Sequence, residues 1–377
     1  MIKSLSTEFS FLPKTGRAAS FASAEGVVPF FTSSQNTVKR AAEADCYGPA
    51  IVFGTGGSAS VHFVDGPFSA SNDCYVCKPN SGKIDDAKFV HYFLKSNIHL
   101  IEEGFKGAGL RHVSKKHLME MEIPTGEGID RHRVVAILDK ADAIRCKREQ
   151  ALNLADDLLR AAYLNLVGLK HPSYDEWEPA SIDSLAADKR GSIRSGPFGS
   201  ALLHSEFVDD GIAVLGIDNA VKNKFQWAER RFITHDKYEE LQRYRVFPQD
   251  VIITIMGTTG RSAVVPDDIP EAITTKHLAS ITCDQNKILP EVLSFAIHSD
   301  PVVIDQIRAA NKGAIMDGLN LGIIRQIKIR KPPMRQQQKF ADLLRKSHAS
   351  VQKMITSTGD GSDLFACLSQ RAFRGEL

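Results

Sequence analysis

The stretch RHRVVAILDKADAIRCKREQALNLADDLLRAAYLNLVG, Arg131 to Gly168, decides how the remainder of this 377-residue chain divides. Between Asp130 and Val167 there is neither Gly nor Pro, and Val134, Leu138, Ala141, Leu152, Ala155, Leu159, Ala162 and Leu166 recur at alternating spacings of four and three. This is a heptad-like apolar stripe, interrupted where the same register reaches Arg145 and Arg148. About 38 residues at 1.5 Å each predict a helix of roughly 57 Å, longer than a small domain is wide. Such a stripe needs a partner. Downstream, Phe340, Leu344, Val351, Ile355, Leu364 and Leu368 form a second apolar series, broken at Gly359-Asp360-Gly361. The two helices are expected to pair as an antiparallel coiled coil rather than each folding back on its own domain.

Outward from the helix, the chain repeats itself. IVFGTGGSASV (Ile51 to Val61) matches ITIMGTTGRSAVV (Ile253 to Val265) when Gly54 is laid on Gly257, an offset of 203. Lys106-Gly107-Ala108 matches Lys312-Gly313-Ala314 at 206, and RVVAIL (Arg133 to Leu138) matches QKFADL (Gln338 to Leu343) at 205. Upstream, EGVVPFF around Gly26 matches DGIAVLG around Gly211 at 185, so the second copy carries about 20 extra residues, expected near Arg230 to Arg245. Within each copy, short β-rich runs (AIVF, DCYVC, DVIITI, LASITC) and helical patches (AKFVHYFLKS, PEVLSFAIHS) are punctuated by Gly, Pro and Asn. The fold class expected is α+β: two mixed α/β globular domains related by internal duplication, residues 1–129 and 171–333, separated by long helices over 130–170 and 334–377.

Composition narrows the function classes. Hydrophobic residues at 43 % and charged residues at 24 % exclude a disordered or collagen-like chain. Six cysteines are sparse for this length and read as unpaired thiols of a reducing compartment. No long uncharged apolar run and no secretory leader is visible, so a cytoplasmic protein without membrane contact is expected. The net charge is only +2, from 47 basic and 45 acidic residues, so any nucleic-acid surface must be a local arrangement of Arg and Lys.

Two globular repeats each followed by a long helix, with the Arg131–Gly168 segment closing the first and AFRGEL (Ala372 to Leu377) closing the second, resemble the specificity subunit of a type I restriction-modification system. The FGTGGSASVHF loop, the SGPFGS segment and the GTTGR loop resemble parts of that family's target recognition domains. The resemblance implies a DNA sequence-recognition subunit that reads an asymmetric, bipartite site on double-stranded DNA and scaffolds two modification (methyltransferase) subunits and restriction (motor-nuclease) subunits. It implies no catalytic centre and no cofactor in this chain, with S-adenosylmethionine, ATP and Mg2+ held by the partners. No G-x-x-x-x-G-K-[ST] phosphate loop is present, and the one Pro-Pro, Lys331-Pro332-Pro333-Met334, is not the Asn-Pro-Pro-aromatic tetrad of DNA adenine methylases. The alternative reading, a divergent S-adenosylmethionine-dependent DNA methyltransferase using Phe53-Gly54-Thr55-Gly56-Gly57, lacks that tetrad.

Candidate DNA contacts follow from residue chemistry. Arg194, Ser195 and Ser200 lie on a Gly/Pro segment with Phe198, a mix that can contact phosphates and base edges, although a plain turn has the same composition. Thr258, Thr259 and Arg261 follow a predicted strand, where glycine permits close backbone approach; a tight hairpin is the bland equivalent. In the first copy the equivalents are Thr55, Gly56, Gly57 and Ser58, with Ser60 and His62 nearby. Lys106, Arg111, Lys115 and Lys116 form a basic cluster, with Lys312 matching Lys106. Lys222, Asn223, Lys224, Arg230, Arg231, Arg243, Tyr244 and Arg245 form the main basic track, with Asn219 and Asn223 as adenine readers. Arg194 and Arg261 are expected nearer the bases than the run Lys222, Lys224, Arg230 and Arg231. Cys74 and Cys77 have zinc-like spacing, but no second pair exists and residues three apart on a strand face opposite ways, so no metal is expected.

Overall fold

The computed structural model of the chain describes residues 2–35, 38–107, 109, 111–125, 128–311, 318–357 and 361–377. They form two compact units, Met1–Ala151 with Ile355–Leu377, and Leu152–Met354.

In the first unit the elements run Ile2–Ser4 (β1), Leu5–Glu8 (α1), Phe9–Phe11 (β2), Val28–Phe31 (β3), Lys39–Ala41 (β4), Cys46–Tyr47 (β5), Ala50–Gly54 (β6), Ser60–Val64 (β7), Pro67–Ala70 (β8) and Cys74–Pro79 (β9). Ile84–Ser96 (α2), His99–Glu102 (α3), Phe105–Lys106 (β10), His112–Val113 (β11), Lys115–Glu120 (α4) and Glu122–Pro124 (β12) follow, and Arg131–Leu166 is the long helix α5. One four-stranded antiparallel sheet has the order β2-β9-β6-β7. Its centre, β6, is buried on both faces: Ile51 and Phe53 join Phe89, Val90, Leu94 and Leu118 on the helical side, and Ala50 and Val52 join Phe31, Phe68 and Val76 on the other. An apolar run without alternation is what a doubly covered strand requires. A second sheet has the order β4-β3-β8-β5, with β3 and β8 parallel.

The second unit contains Pro179–Ser181 (β13), Ile182–Leu185 (α6), Ile193–Ser195 (β14), Ile212–Leu215 (β15), Phe232–Ile233 (β16), His235–Leu241 (α7), Val251–Thr254 (β17), Ser262–Val264 (β18), Ala272–Thr274 (β19) and Leu278–Ile281 (β20). Pro290–Ser299 (α8), Pro301–Asn311 (α9), Leu321–Gln326 (α10), Lys328–Arg330 (β21) and Met334–Ser357 (α11) complete it; Gly361–Phe373 (α12) belongs to the first unit. Its sheets have the orders β14-β20-β17-β18, antiparallel, and β16-β15-β19, with β15 and β19 parallel. The four-stranded antiparallel sheets correspond strand for strand, β16-β15-β19 corresponds to β4-β3-β8 without a counterpart strand of β5, and β13·β21 corresponds to β1·β12.

The ladders correct the register read from the sequence. Ile51 faces Cys77 in the first unit and Val251 faces Ile281 in the second, so the central strands correspond at an offset of 200, and Gly54 takes the place of Thr254 rather than of Gly257. Glycine loops match each other by composition, whereas register is set by hydrogen-bonded pairing. The helices shift by one: Val134 and Leu138 enter the first core where Phe340 and Leu344 enter the second, an offset of 206. Val28 faces Ala41, 13 residues on, whereas Ile212 faces Ile233, 21 residues on. Eight of the added residues therefore lie in the loop before β16, and the remainder form α7 and the turn after it.

The stripe of α5 is turned inward: none of Val134, Leu138, Ala141, Leu152, Ala155, Leu159, Ala162 and Leu166 is exposed. Val134, Val135 and Leu138 belong to the first unit's core, and Leu159, Tyr163 and Val167 to the second's. At the interruption, Arg145 pairs with Asp142 at 2.9 Å and Arg148 donates to the Ile355 carbonyl at 3.3 Å. The helical segment expected over 334–377, with its break at Gly359-Asp360-Gly361, forms two helices, α11 and α12, and Gly359 and Asp360 lie outside the described residues. No described helix is long and apolar enough to cross a membrane.

Candidate nucleic-acid interface

In the second unit several chain segments meet at one end of the sheet β14-β20-β17-β18. The Ile255 amide donates to the His277 carbonyl and the Leu319 amide to the Ile255 carbonyl, both at 2.9 Å, and Met256 bridges Gly318. A side chain at Gly196 would run into the Thr274 and Thr275 backbone, so only glycine lets the Ser195–Ser200 segment pass there. These segments enclose an apolar cleft of about 430 Å3 lined by Ser195, Phe198, Ile255, Met256, Leu319 and Leu321, and the Phe198 ring is half exposed on it. The Gly257–Arg261 hairpin stands beside it, with φ of +75° at Gly257 and +80° at Gly260. Thr254 ties the hairpin shut: its hydroxyl donates to the Thr258 carbonyl, and its oxygen accepts from the Arg261 amide at 2.9 Å. Thr258 and the Arg261 side chain are left facing solvent, and Thr259 is partly covered.

The first unit repeats the arrangement. The Thr55 amide donates to the Asp73 carbonyl at 2.9 Å and the Val113 amide to the Thr55 carbonyl at 3.0 Å, while Gly56 bridges His112. A Cβ at Gly56 would press on the His112 ring, and Gly57 has φ +79°, so both glycines are required by this loop. Gly57 and Ser58 are exposed. Thr55 and Ser60 are buried; the Thr55 hydroxyl donates to Asp73 O at 3.1 Å, and the Ser60 hydroxyl has no partner among the described residues. The half-buried His62 ring contacts Ser34 O at 3.0 Å, and burial pulls its pKa below the ordinary imidazole value. Lys106 and Arg111 are exposed on the short ladder β10·β11 next to Gly56, with Arg111 donating to Phe105 O at 3.2 Å. Lys115 lies 5.6 Å from the Phe11 ring and Lys116 lies 3.9 Å from Glu120. The structure thus brings the first-unit glycine loop and basic cluster together. Lys312 lies outside the described residues.

Four expected contacts are corrected: Thr55 and Ser60 are buried in the first unit, and Arg194 and Asn219 in the second. Arg194 is 8 % exposed; its guanidinium donates to the carbonyls of Arg245 and Gly191, to Thr282 Oγ1 and to the carboxylate of fully buried Asp250. It is an internal brace, because the buried Arg194 side chain on edge strand β14 finds its acceptors inside the domain. Asn219, 2 % exposed, accepts from the Gly216 amide and donates to Gln226 O, both at 2.8 Å, so its amide caps a loop and cannot read a base.

The long basic track is only partly free. Arg231 is claimed by Asp218 at 3.1 Å and Glu229 at 3.0 Å, and Arg245 by Glu271 at 3.3 Å. Lys222 is exposed, Lys224 half-buried, Asn223 sits at φ +56°, and Arg243 lies 4.6 Å over the Tyr244 ring. Arg230 lies 5.1 Å over Trp227, which in turn packs edge-on against Phe225 at 5.3 Å. Trp227, 40 % exposed beside Arg230, and His112, which bridges Gly56, are surface residues that the residue-by-residue reading did not single out. For Trp227 a signal existed, an aromatic between Lys224 and Arg230.

Cys74 and Cys77 sit in different cores on opposite faces of β9, and among the described residues no three His, Cys, Asp or Glu side chains converge as metal ligands. The Phe53–Gly57 loop leads from β6 into antiparallel β7, not from a strand into a helix as a phosphate-cradling nucleotide loop would.

Residues 14–154 match the family described as the type I restriction modification DNA specificity domain. The chain is 21 % identical over 279 residues to the type I restriction enzyme MjaVIII specificity subunit of Methanocaldococcus jannaschii, covering 70 % of this chain and 64 % of that protein. The crystal structure of the S subunit of a type I restriction-modification system from M. genitalium superposes with a TM-score of 0.66 at 15 % identity, over 99 % of this chain and 96 % of that one. Residues 14–154 are therefore similar to the type I restriction modification DNA specificity domain, and the chain has the fold of a solved specificity subunit.

Proposed function

We propose that the chain is the non-catalytic DNA-recognition subunit of a type I restriction-modification complex, in which each unit reads one half of a split, asymmetric site on double-stranded DNA. The observation that carries this is the recurrence, at the same end of two like-ordered sheets, of an exposed glycine hairpin flanked by cations and fastened by the same hydrogen bonds. Loops on a rigid sheet end can approach a duplex closely while the scaffold holds their spacing. The units' loops differ in nearly every exposed residue, so the two half-sites should differ. The shared strand orders support an origin by internal duplication. Tyr163 against Phe340 in the second unit and Arg148 against Ile355 in the first support α5 and α11 running antiparallel as a coiled coil. The complex would act in the cytoplasm, with two modification subunits binding S-adenosylmethionine and with restriction subunits using ATP and Mg2+. Methylome sequencing of a host with and without the gene tests the reading. The expected outcome is one gene-dependent methylated motif in two parts about one helical turn apart, roughly 10 base pairs centre to centre; an uninterrupted motif would refute it.

A further inference from the structure

Two arginines from separate elements of the second unit line a cleft with His298 of α8, and the charge of a third acts on the same ring. Arg261 ends the glycine hairpin, Arg308 projects from α9, and both line, with His298, Thr259, Gly260 and Ile304, a cleft of about 290 Å3. Arg160 of α5 is the third: its charge and that of Arg261 add to burial in pushing the His298 imidazole down to about 4, so the ring is neutral at pH 7. The ring is fixed in place, Nδ1 lying 3.2 Å from Ser262 Oγ, which donates to Ser294 O at 2.9 Å. Among the described residues neither Arg160 nor Arg261 has an ion pair, and Arg308 has only the exposed Asp305 at 3.5 Å. The first unit differs: Lys95, 203 residues before His298 and on the corresponding helix, is neutralised by Asp142 at 3.3 Å, and the same carboxylate takes Arg145. Guanidinium groups gathered with only the one exposed Asp305 carboxylate repel one another, and the repulsion is relieved when an anion enters. Planar forks match phosphate oxygens in particular.

We propose that this cleft is a phosphate-binding site, with Arg261 and Arg308 as its ligands and Arg160 adding positive charge, which clamps a backbone phosphodiester of the bound duplex. The proposal rests on the DNA-recognition reading above, and it assigns Arg261 to the phosphate backbone rather than to a base edge. One phosphate clamped between hairpin and α9 would hold the register of the second unit on the duplex without reading sequence.

The test uses the full-length chain, with Arg160→Gln, Arg261→Gln, Arg308→Gln, and Arg374→Gln as an exposed control beyond α12. Inorganic phosphate is titrated while the imidazole NMR signals are followed, His298 being assigned by its loss in His298→Gln. A duplex of about three helical turns is titrated in parallel at several salt concentrations. Phosphate should shift the His298 signal saturably, and the Arg261→Gln/Arg308→Gln double variant should abolish that shift. Each single cleft variant should bind all duplexes severalfold more weakly, with the salt slope reduced by about one, and Arg374→Gln should match the wild type. A His298 response to phosphate in a chain that binds no duplex overturns the duplex as the source of the phosphate, and the DNA-recognition reading with it. Duplex binding with unchanged salt slopes in all three variants and no His298 response overturns the cleft alone. A loss confined to one base pair of the target returns Arg261 to base reading.

Discussion

Arg194 illustrates how a side chain with the chemistry of a DNA contact can be committed elsewhere. Its partner Asp250 is completely buried and also accepts from Thr282 Oγ1 and the Phe247 amide. Removing the guanidinium leaves that carboxylate buried without its counter-charge. Arg194→Ala should therefore lower the stability of the second unit by about 3–5 kcal/mol, read as a shift in its urea midpoint; an unchanged midpoint would show the pair to be dispensable. The cysteines offer a second residue-level check. Cys46, Cys74, Cys77 and Cys283 are buried, and burial raises their thiol pKa values, that of Cys74 to about 11, whereas Cys367 is exposed. A thiol reagent at mild alkaline pH should consume Cys367 first and reach the four buried thiols only after unfolding, since the thiolate is the reactive form. Prompt labelling of Cys77 or Cys283 in the native protein would contradict the packing described.

At the scale of elements, α5 serves a core near each of its ends. Leu159, 3 % exposed, packs with Tyr163, Phe340 and Leu344, whereas Leu152 is only half-buried. Leu159→Asp should cost the second unit about 4 kcal/mol, from lost burial plus an unpaired buried carboxylate, and Leu152→Asp distinctly less. Equal effects in thermal melts would mean that the stripe is not oriented as described. On α2, His91 is pushed down to about 3, first by burial and then by Lys95 and His62. The unfolded chain takes up this proton near pH 6.5 while the folded chain refuses it, so the contribution is complete above pH 6.5 and is lost as the pH falls toward 3. Across that window the first unit should lose up to about 1.4 kcal/mol per pH unit from this group. His91→Phe should remove one proton's worth of that slope in urea titrations at pH 6.5, 5.5 and 4.5. An identical slope in the variant would show that the ring is protonated in the fold.

Over the whole molecule, the last helix in sequence completes the first unit in space. Phe365 and Ala372 of α12 are buried in the core that contains Phe89 and Leu94, and Phe373 meets Phe89 at 5.2 Å and Phe93 at 5.3 Å. Phe365→Ala should destabilise the first unit by about 3 kcal/mol and leave the melting of the second unchanged. If the second unit's transition moved instead, the division into units Met1–Ala151 with Ile355–Leu377 and Leu152–Met354 would be wrong.

What the residues alone determined was the long helix and the repeat of a mixed α/β pattern, because a 3.6-residue apolar period without Gly or Pro, and a recurring order of strand and glycine loop, are local properties of the chain. The GTGG and GTTG loops were likewise legible as close-approach turns, since positive φ is a demand that glycine answers locally. The tertiary structure decided the register of the repeat, which rests on the hydrogen-bonded pairing of Ile51 with Cys77 and of Val251 with Ile281. It decided too which cations remain available: Arg194, Arg231 and Arg245 read like Arg261 in sequence, but the first three meet carboxylates brought from 56, 13 and 26 residues away, and Arg261 meets none among the described residues. Whether a charge is spent inside the protein or left for a partner depends on which acids the fold places beside it, and that is a non-local property.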